Sequence, residues 1–176
     1  MLVRVGVVGR RIYCMGITNE DETRFEPLSG AELGEWIVRA RAVYIDDRVA
    51  AGDSAAEATA NADTTLARMF PAGAPAPGQL VGHVVVDGTS VGTLWVGQAE
   101  SDPTRWWIWD IVIDEKLRGR GFGRKTMQLA EKIAGDGGAT SLGLNVFAHN
   151  AVARALYASL GYEESAIQMR KTLTDQ

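Results

Sequence analysis

The sequence predicts an α/β fold with an antiparallel N-terminal half and a crossover unit in the second half. Three observations predict it. Two apolar runs, Leu80 to Val86 and Ser90 to Val96, flank Asp87-Gly88, a pair suited to a two-residue hairpin turn. A run of aromatic and β-branched residues, Trp106 to Asp114, passes directly into RGRGFG and then into a segment of helical period, so a central strand feeds a helix through a glycine loop. The same alternation recurs, with a strand at Ser141 to Phe147 and a helix that opens at Asn150 and closes at Gly161.

The remaining elements follow in order. Met1 to about Asp21 reads as an N-terminal extension, and Leu2, Val3, Val5, Val7 and Val8 could form a short strand in it. Residues 1–22 are thus an extra edge strand or dimer contact, or a dispensable segment with Met15 as the true start; the domain proper is 23–176. Thr23 to Pro27 reads as a short strand. Ser29 with Glu32 forms a capping box, and Leu33, Trp36, Ile37, Ala40 and Val43 or Tyr44 share one face of the helix it opens. Ser54 caps an alanine-rich helix toward Phe70, stopped by Pro71, Pro75 and Pro77 with Gly73 and Gly78. Gln98 to Thr104, with Pro103, reads as a loop. In the helix after RGRGFG, Phe122, Thr126, Leu129, Ala130 and Ile133 fall on one face, and Gly135, Gly137 and Gly138 end it. Tyr162 to Leu173 is a last extended stretch.

Composition narrows the function. At 176 residues, with 46% apolar and 23% charged residues, the chain suits one globular domain. Its net charge of −4 offers no broad basic surface, which argues against a nucleic-acid partner. Cys14 is the single cysteine, so there is no internal disulfide and no multi-cysteine metal site. That fits a reducing cytoplasm. The apolar runs near the start are broken by Arg10 and Arg11 and are too short for a signal core or a membrane span.

The most informative stretch is Ile111 to Lys125, IVIDEKLRGRGFGRK. Glycines let backbone amides approach an anion, and the helix start adds unpaired donors and a partial positive charge. Arg118, Arg120, Arg124 and Lys125 add full charges, so the loop should hold a pyrophosphate or another polyphosphate. Counted from Gly119, both the P-loop pattern and the dinucleotide fingerprint require glycine where Arg124 stands, and both fail. What fits is R-x-x-G-x-G, given by Arg118, Gly121 and Gly123. A second segment follows, LNVFAHNAVARALYASLGYEE from Leu144 to Glu164: a strand, an asparagine, and a helix bearing Leu-Tyr and ending in Gly-Tyr.

Together these segments resemble the GNAT superfamily of acetyl-CoA-dependent N-acetyltransferases, and the resemblance extends from about Thr23 to Leu173. It implies a GNAT-type mixed central sheet, antiparallel in its N-terminal half, with helices on both faces. It implies acetyl-CoA as cosubstrate, with the diphosphate on Arg118, Gly119, Arg120, Gly121, Phe122, Gly123 and Arg124. The backbone of a bulged strand at Ile111, Val112 and Ile113 would pair with the pantetheine arm and offer amides to the carbonyl oxygen. Asn150 matches the family's asparagine that bonds cofactor or backbone, and Tyr157 the tyrosine that protonates the departing thiolate. The partners implied are acetyl-CoA and an amine acceptor, with no nucleic acid, no membrane and no metal. A homodimer is what the family suggests.

Acyl transfer to an amine also needs a proton acceptor. Asp110 is an acid inside an otherwise apolar strand, where burial would raise its pKa toward a useful value. Two readings stand for it, a general base and a structurally hydrogen-bonded carboxylate, and water-relayed deprotonation is a further route. The glutamate that some family members carry on this strand falls at Trp107 here. No Ser–His pair sits in a motif and Cys14 lies in the extension, so direct transfer in a ternary complex is expected rather than an acyl-enzyme. A non-catalytic acyl-CoA-binding module on the same fold is the alternative. Alternation puts Trp107 and Trp109 on one strand face and Trp106 on the other. Glu35, Asp46, Asp47 and Glu57 on the first two helices are candidate contacts for a cationic acceptor, whose class (polyamine or drug, amino acid, protein amine) the sequence leaves open.

Overall fold

The computed structural model describes residues 23–99, 101–169 and 171. The expected extension 1–22, with Cys14, lies outside the described residues. Five strands form one sheet in sequence order: β1 (Thr23–Pro27), β2 (Gln79–Val86), β3 (Thr89–Ala99), β4 (Asp102–Ile113) and β5 (Ser141–Leu144). Neighbours are antiparallel except β4 and β5, which run parallel and are joined by the crossover helix α3 (Phe122–Asp136). Helices α1 (Gly30–Ala50) and α2 (Ala55–Met69) lie between β1 and β2, and α4 (Ala151–Ser159) follows β5. The mixed sheet with an antiparallel N-terminal half is the architecture the sequence predicts. Among the described residues, no helix is long and apolar enough to cross a membrane.

Local chemistry explains the boundaries. The amide and hydroxyl of Ser29 both donate to the Glu32 carboxylate at 3.2 and 2.8 Å, and Ser54 with Glu57 repeats this for α2. The β2–β3 turn places Asp87 at φ 50° and Gly88 at φ 77°, the double left-handed turn whose twist matches a hairpin. Gln98 to Thr104 is less of a loop than expected: β3 runs on to Ala99 and β4 begins at Asp102, with Pro103 tolerated near the strand's first residue.

Each face of the sheet carries its own core. On one, Val84, Val86, Val91, Leu94, Val96, Trp106 and Ile108 pack on Met127, Ala130 and Ala134 of α3. On the other, Val81 and Trp95 meet Leu33 and Trp36 of α1 and Met69 and Phe70 at the end of α2, with Trp109 packed alongside. Helices on both faces, and Trp106 opposite Trp107 and Trp109, agree with the sequence reading. The α1 stripe does not continue as expected. Val43 and Tyr44 are 54% and 38% exposed, and Asp47 is partly buried instead.

Two expectations near the C-terminus change. β5 stops at Leu144 rather than Phe147, and its pairing with β4 ends there, opposite Ile108. From Tyr162 to Met169 and at Lys171 no strand forms, so among the described residues the expected last strand is missing; the rest of that stretch lies outside them.

The β4–β5 contact depends on one glycine. A Cβ added at Gly143 would run into the six-membered ring of Trp107, which lies across β5 at that point. At Gly34, on the exposed side of α1, an added Cβ would meet nothing within 4 Å. Gly143→Ala is therefore expected to lower stability by about 1–3 kcal/mol through overpacking, whereas Gly34→Ala raises it by about 0.5–1 kcal/mol. Denaturant unfolding of both variants checks the pair.

Candidate active site

The site begins with a count along β4. Trp95 of β3 is opposite Asp110 and Val96 is opposite Ile108, so Trp109 is an extra residue. This β-bulge kinks the strand. The parallel ladder with β5 covers Arg105 to Ile108 against Ser141 to Leu144 and ends immediately before the bulge. β4 nevertheless stays bonded to β3 as far as Ile113. From Trp109 to Ile113, therefore, its other edge has no strand beside it among the described residues. The sequence reading put the bulged strand at Ile111, Val112 and Ile113; the structure has the bulge before them, at Trp109. Val112 is 39% exposed, and Val146 and Val152, beyond β5 and on α4, are also exposed apolar residues.

The bulge also sets which side chains share a face. Cross-strand partners point the same way, so Asp110 lies on the face of Trp95 and Ile111 on that of Leu94. Trp109 stacks on Trp95 with centroids 5.6 Å apart and meets Trp107 at 6.2 Å. Trp107, Trp109 and Asp110 thus all face α1 and α2. A cavity of about 370 Å³ adjoins this row, lined by Ala99, Ser101, Arg105, Trp107, Trp109 and Asn145. A larger hollow of about 530 Å³, at the α1–α2 turn, contains none of the motif residues.

At the end of β4 a short turn, Glu115–Leu117, leads into the glycine loop. Gly119 and Gly121 have φ of 76° and 83°, a left-handed backbone that costs any other residue strain. Gly123 serves differently, since a Cβ there would lie 3.2 Å from Leu156 on α4. The first bond of α3 runs from the Lys125 amide to the Gly121 carbonyl, and no side chain caps the helix. None of the amides from Gly119 to Arg124 donates to an acceptor among the described residues. The first turn of α3 carries no acid. That is the donor set and the sign of field that an anion requires.

The arginines of the motif divide. Arg118 donates through Nε to the Ile113 carbonyl at 3.1 Å, tying the loop to β4. Arg124 donates through Nη2 to the Ser159 hydroxyl at 2.6 Å, tying α3 to α4. The side chains of Arg120 and Lys125 have no hydrogen bond or ion pair among the described residues. Ser159 was not singled out from the sequence, and no local pattern marks such a tie. Asn150 caps α4, with Oδ1 accepting from the Ala153 amide at 3.1 Å.

Asp110 stands on β4 and Tyr157 on α4, where Tyr157 packs against the α3-side core. Burial pushes the Asp110 carboxyl up to about 6, and the charge of Asp47 adds to the rise against the opposing Ile111 amide. Asp110 has no ion pair among the described residues. Burial, then the charge of Asp110, raises the pKa of the Tyr157 phenol. Its ring rests against Tyr162, with centroids 6.1 Å apart. Asp114 and Glu115 are exposed, as is His149, which stacks on Phe147 at 5.5 Å. Among the described residues, no group of three or more His, Cys, Asp or Glu could hold a metal.

Comparison with known proteins shows the family. The N-acetyltransferase YdgE of Bacillus subtilis, itself uncharacterized, is 31% identical over 119 residues, 66% of this chain and 76% of its own. YycN of the same organism, also an uncharacterized N-acetyltransferase, is 34% identical over 84 residues, and the match spans about half of its length (54%) and 47% of this chain. The crystal structure of YycN superposes with a TM-score of 0.78 at 25% identity, covering 88% of this chain and all of that one. The aminoglycoside N-acetyltransferase AAC(6′)-Iy, solved in complex with CoA, shares the fold at a TM-score of 0.51 and 14% identity, over 89% of this chain and 99% of its own. Residues 39–162 match the Acetyltransferase (GNAT) family, and the chain belongs to that family.

Proposed function

We propose that this protein is an N-acetyltransferase that moves the acetyl group of acetyl-CoA onto a primary amine by direct transfer in a ternary complex, and that its catalytic domain is 23–176. One observation carries the reading. The edge of β4 from Trp109 to Ile113, with no strand beside it among the described residues, carries Asp110 and leads into a loop of undonated amides.

The parts fit a coenzyme of this shape. The diphosphate rests on the amides of Gly119 to Arg124, with Arg120 and Lys125 free to approach it and Arg118 and Arg124 holding the loop in place. The pantetheine arm adds to the β4 edge as an extra strand would, through the backbone of Ile111, Val112 and Ile113. Amides near the bulge face the thioester carbonyl, where they stabilise the oxyanion. Asn150 acts through the α4 cap that positions Tyr157.

The proton balance then closes. The amine nitrogen attacks the carbonyl carbon and loses its proton to Asp110, whose raised pKa makes it a better base than an exposed carboxylate. Collapse of the intermediate breaks the C–S bond, and Tyr157 delivers a proton to sulfur; burial keeps that phenol protonated beforehand. The structural alternative for Asp110 has one donor, the Ile111 amide, and the Asp110→Asn variant separates the two readings.

A saturating ligand of the native state raises its stability, so acetyl-CoA at a hundred times its Kd is expected to raise Tm by about 5–10 °C, with ATP giving little. Stabilisation by ATP alone would defeat the coenzyme reading. Asp110→Asn should lower kcat by about 10²–10⁴-fold, and the wild-type acid limb of kcat/KM, corrected for the amine's ionisation, should lie near pH 6. The sign for stability is opposite to that of a salt-bridged acid. The folded state binds this proton more tightly than the unfolded one, so Asp110 weighs against folding as pH rises from 3.8 through about 6. Asp110→Asn should therefore keep or raise Tm at pH 8, whereas loss of a structural carboxylate would lower it. Tyr157→Phe is expected to slow turnover by about 10–100-fold with acetyl-CoA affinity nearly unchanged; full turnover in that variant removes Tyr157 from the acid role.

A further inference from the structure

The cavity of about 370 Å³ beside β4 holds chemistry that the transfer step does not use. It extends along the first half of that strand, from Ala99 and Ser101 at the β3–β4 turn, past Arg105 and Trp107, to Trp109 at the bulge. Asn145, the residue after β5, completes the lining. Arg105, Trp107 and Trp109 alternate along β4 and so leave it on one face. The rings of Trp107 and Trp109, 6.2 Å apart, form an apolar wall.

The lining contains one charged side chain, Arg105, and no acid. Among the described residues the Arg105 guanidinium has no hydrogen bond or ion pair, and it stacks on neither tryptophan. Asp102 stands three residues before it in the chain. The Thr104 hydroxyl and amide, at 2.7 and 2.9 Å, hold the Asp102 carboxyl below its ordinary value, and the charge of Arg105 adds a smaller share. Its Oδ1 is thus engaged locally, and no ion pair with Arg105 forms. The side chains of Ser101 and Asn145 are likewise without a partner among the described residues. The acids that the sequence offered to a cationic acceptor lie elsewhere. Glu35 is 3.9 Å from Arg39, Glu57 closes the α2 capping box, and neither Asp46 nor Asp47 lines the cavity.

A fixed cation with no acid beside it in the lining repels an ammonium and attracts an anion. The planar fork of a guanidinium matches a carboxylate, and one charge offsets one charge, where a phosphate dianion would bring more. The two ends of the cavity differ in role. The Trp109 end adjoins the reacting centre, since Asp110 is the next residue and the thioester carbonyl is placed at the bulge. The Arg105 end is four residues back, about 13 Å of strand. Resting on the N-acetyltransferase reading, we propose that the acceptor is a small amino acid, its amine acetylated at the bulge and its carboxylate held by Arg105 with Asn145. The tryptophans cover the carbons between the two groups. Arg105 is a binding residue, since it touches the end of the acceptor that does not react.

The test compares acetyl acceptors. Straight-chain ω-amino acids from the propanoic to the hexanoic are set against the n-alkylamine, the ω-amino amide and the α,ω-diamine of the same length, with glycine and L-alanine as α-amino acids. Rates are expressed per neutral amine. For the best amino acid, kcat/KM should exceed that of its amide by about tenfold or more, with the diamine poorest. In Arg105→Gln that ratio should collapse toward one, with the loss falling on KM. Arg105→Lys should restore part of it, keeping the charge without the fork. Asn145→Asp, which brings a negative charge into the same cavity, should invert the order in favour of the diamine. A wild-type rise in Tm with acetyl-CoA shows that each variant is folded. Equal use of amino acid and amide, a lead by the alkylamine or diamine, or a carboxylate preference that survives in Arg105→Gln overturns this inference alone. If the wild type acetylates no amine while still binding acetyl-CoA, the proposed function itself falls and this inference with it.

Discussion

A single extra residue in β4 decides where this molecule can work. Two parallel strands that stayed paired would leave no backbone groups to offer a ligand. Trp109 interrupts the count, β4 bends, and β5 loses its partner beyond Ile108. The freed edge remains rigid because its other side is fully bonded to β3 as far as Ile113. The same insertion turns Trp109 and Asp110 toward α1 together, where strict alternation would have sent one of them to the α3 core. One irregularity thus opens the gap and places an acid beside it.

The surrounding packing keeps the gap in shape. Trp106 and Trp107 leave β4 on opposite faces and each lies against a glycine, Gly137 at the end of α3 and Gly143 in β5, where any side chain would collide with the ring. The α3–α4 contact is made close by Gly123 against Leu156 and is fixed by Arg124 on Ser159. Arg118 bonds the Ile113 carbonyl. Two of the basic residues in the glycine motif therefore serve the frame, leaving the side chains of Arg120 and Lys125 without a partner among the described residues.

Much of this was legible in the sequence because it is encoded locally. A strand, a glycine loop and a helix in succession announce an anion site through backbone geometry alone, and Asn150 before an apolar helix announces a cap. Asp110 was conspicuous as one acid among tryptophans and β-branched residues. What the sequence hid is non-local. The bulge is a register relation between β4 and β3, and Trp95 and Asp110 are far apart in the chain. Its trace was that Trp107, Trp109 and Asp110 break alternation, but only a partner strand reveals on which residue. The engagement of Arg124 with Ser159 and the exposure of Val43 and Tyr44 likewise depend on how helices meet, and no local pattern carries that.

Amide hydrogen exchange, with and without coenzyme A, tests the central claim most directly. If the open edge of β4 is where the coenzyme lies, protection should rise at residues within Trp109 to Ile113 and Gly119 to Arg124, while β1 and β2 stay as they were. Coenzyme binding that leaves both segments unprotected, or protects the α1–α2 turn instead, would contradict it.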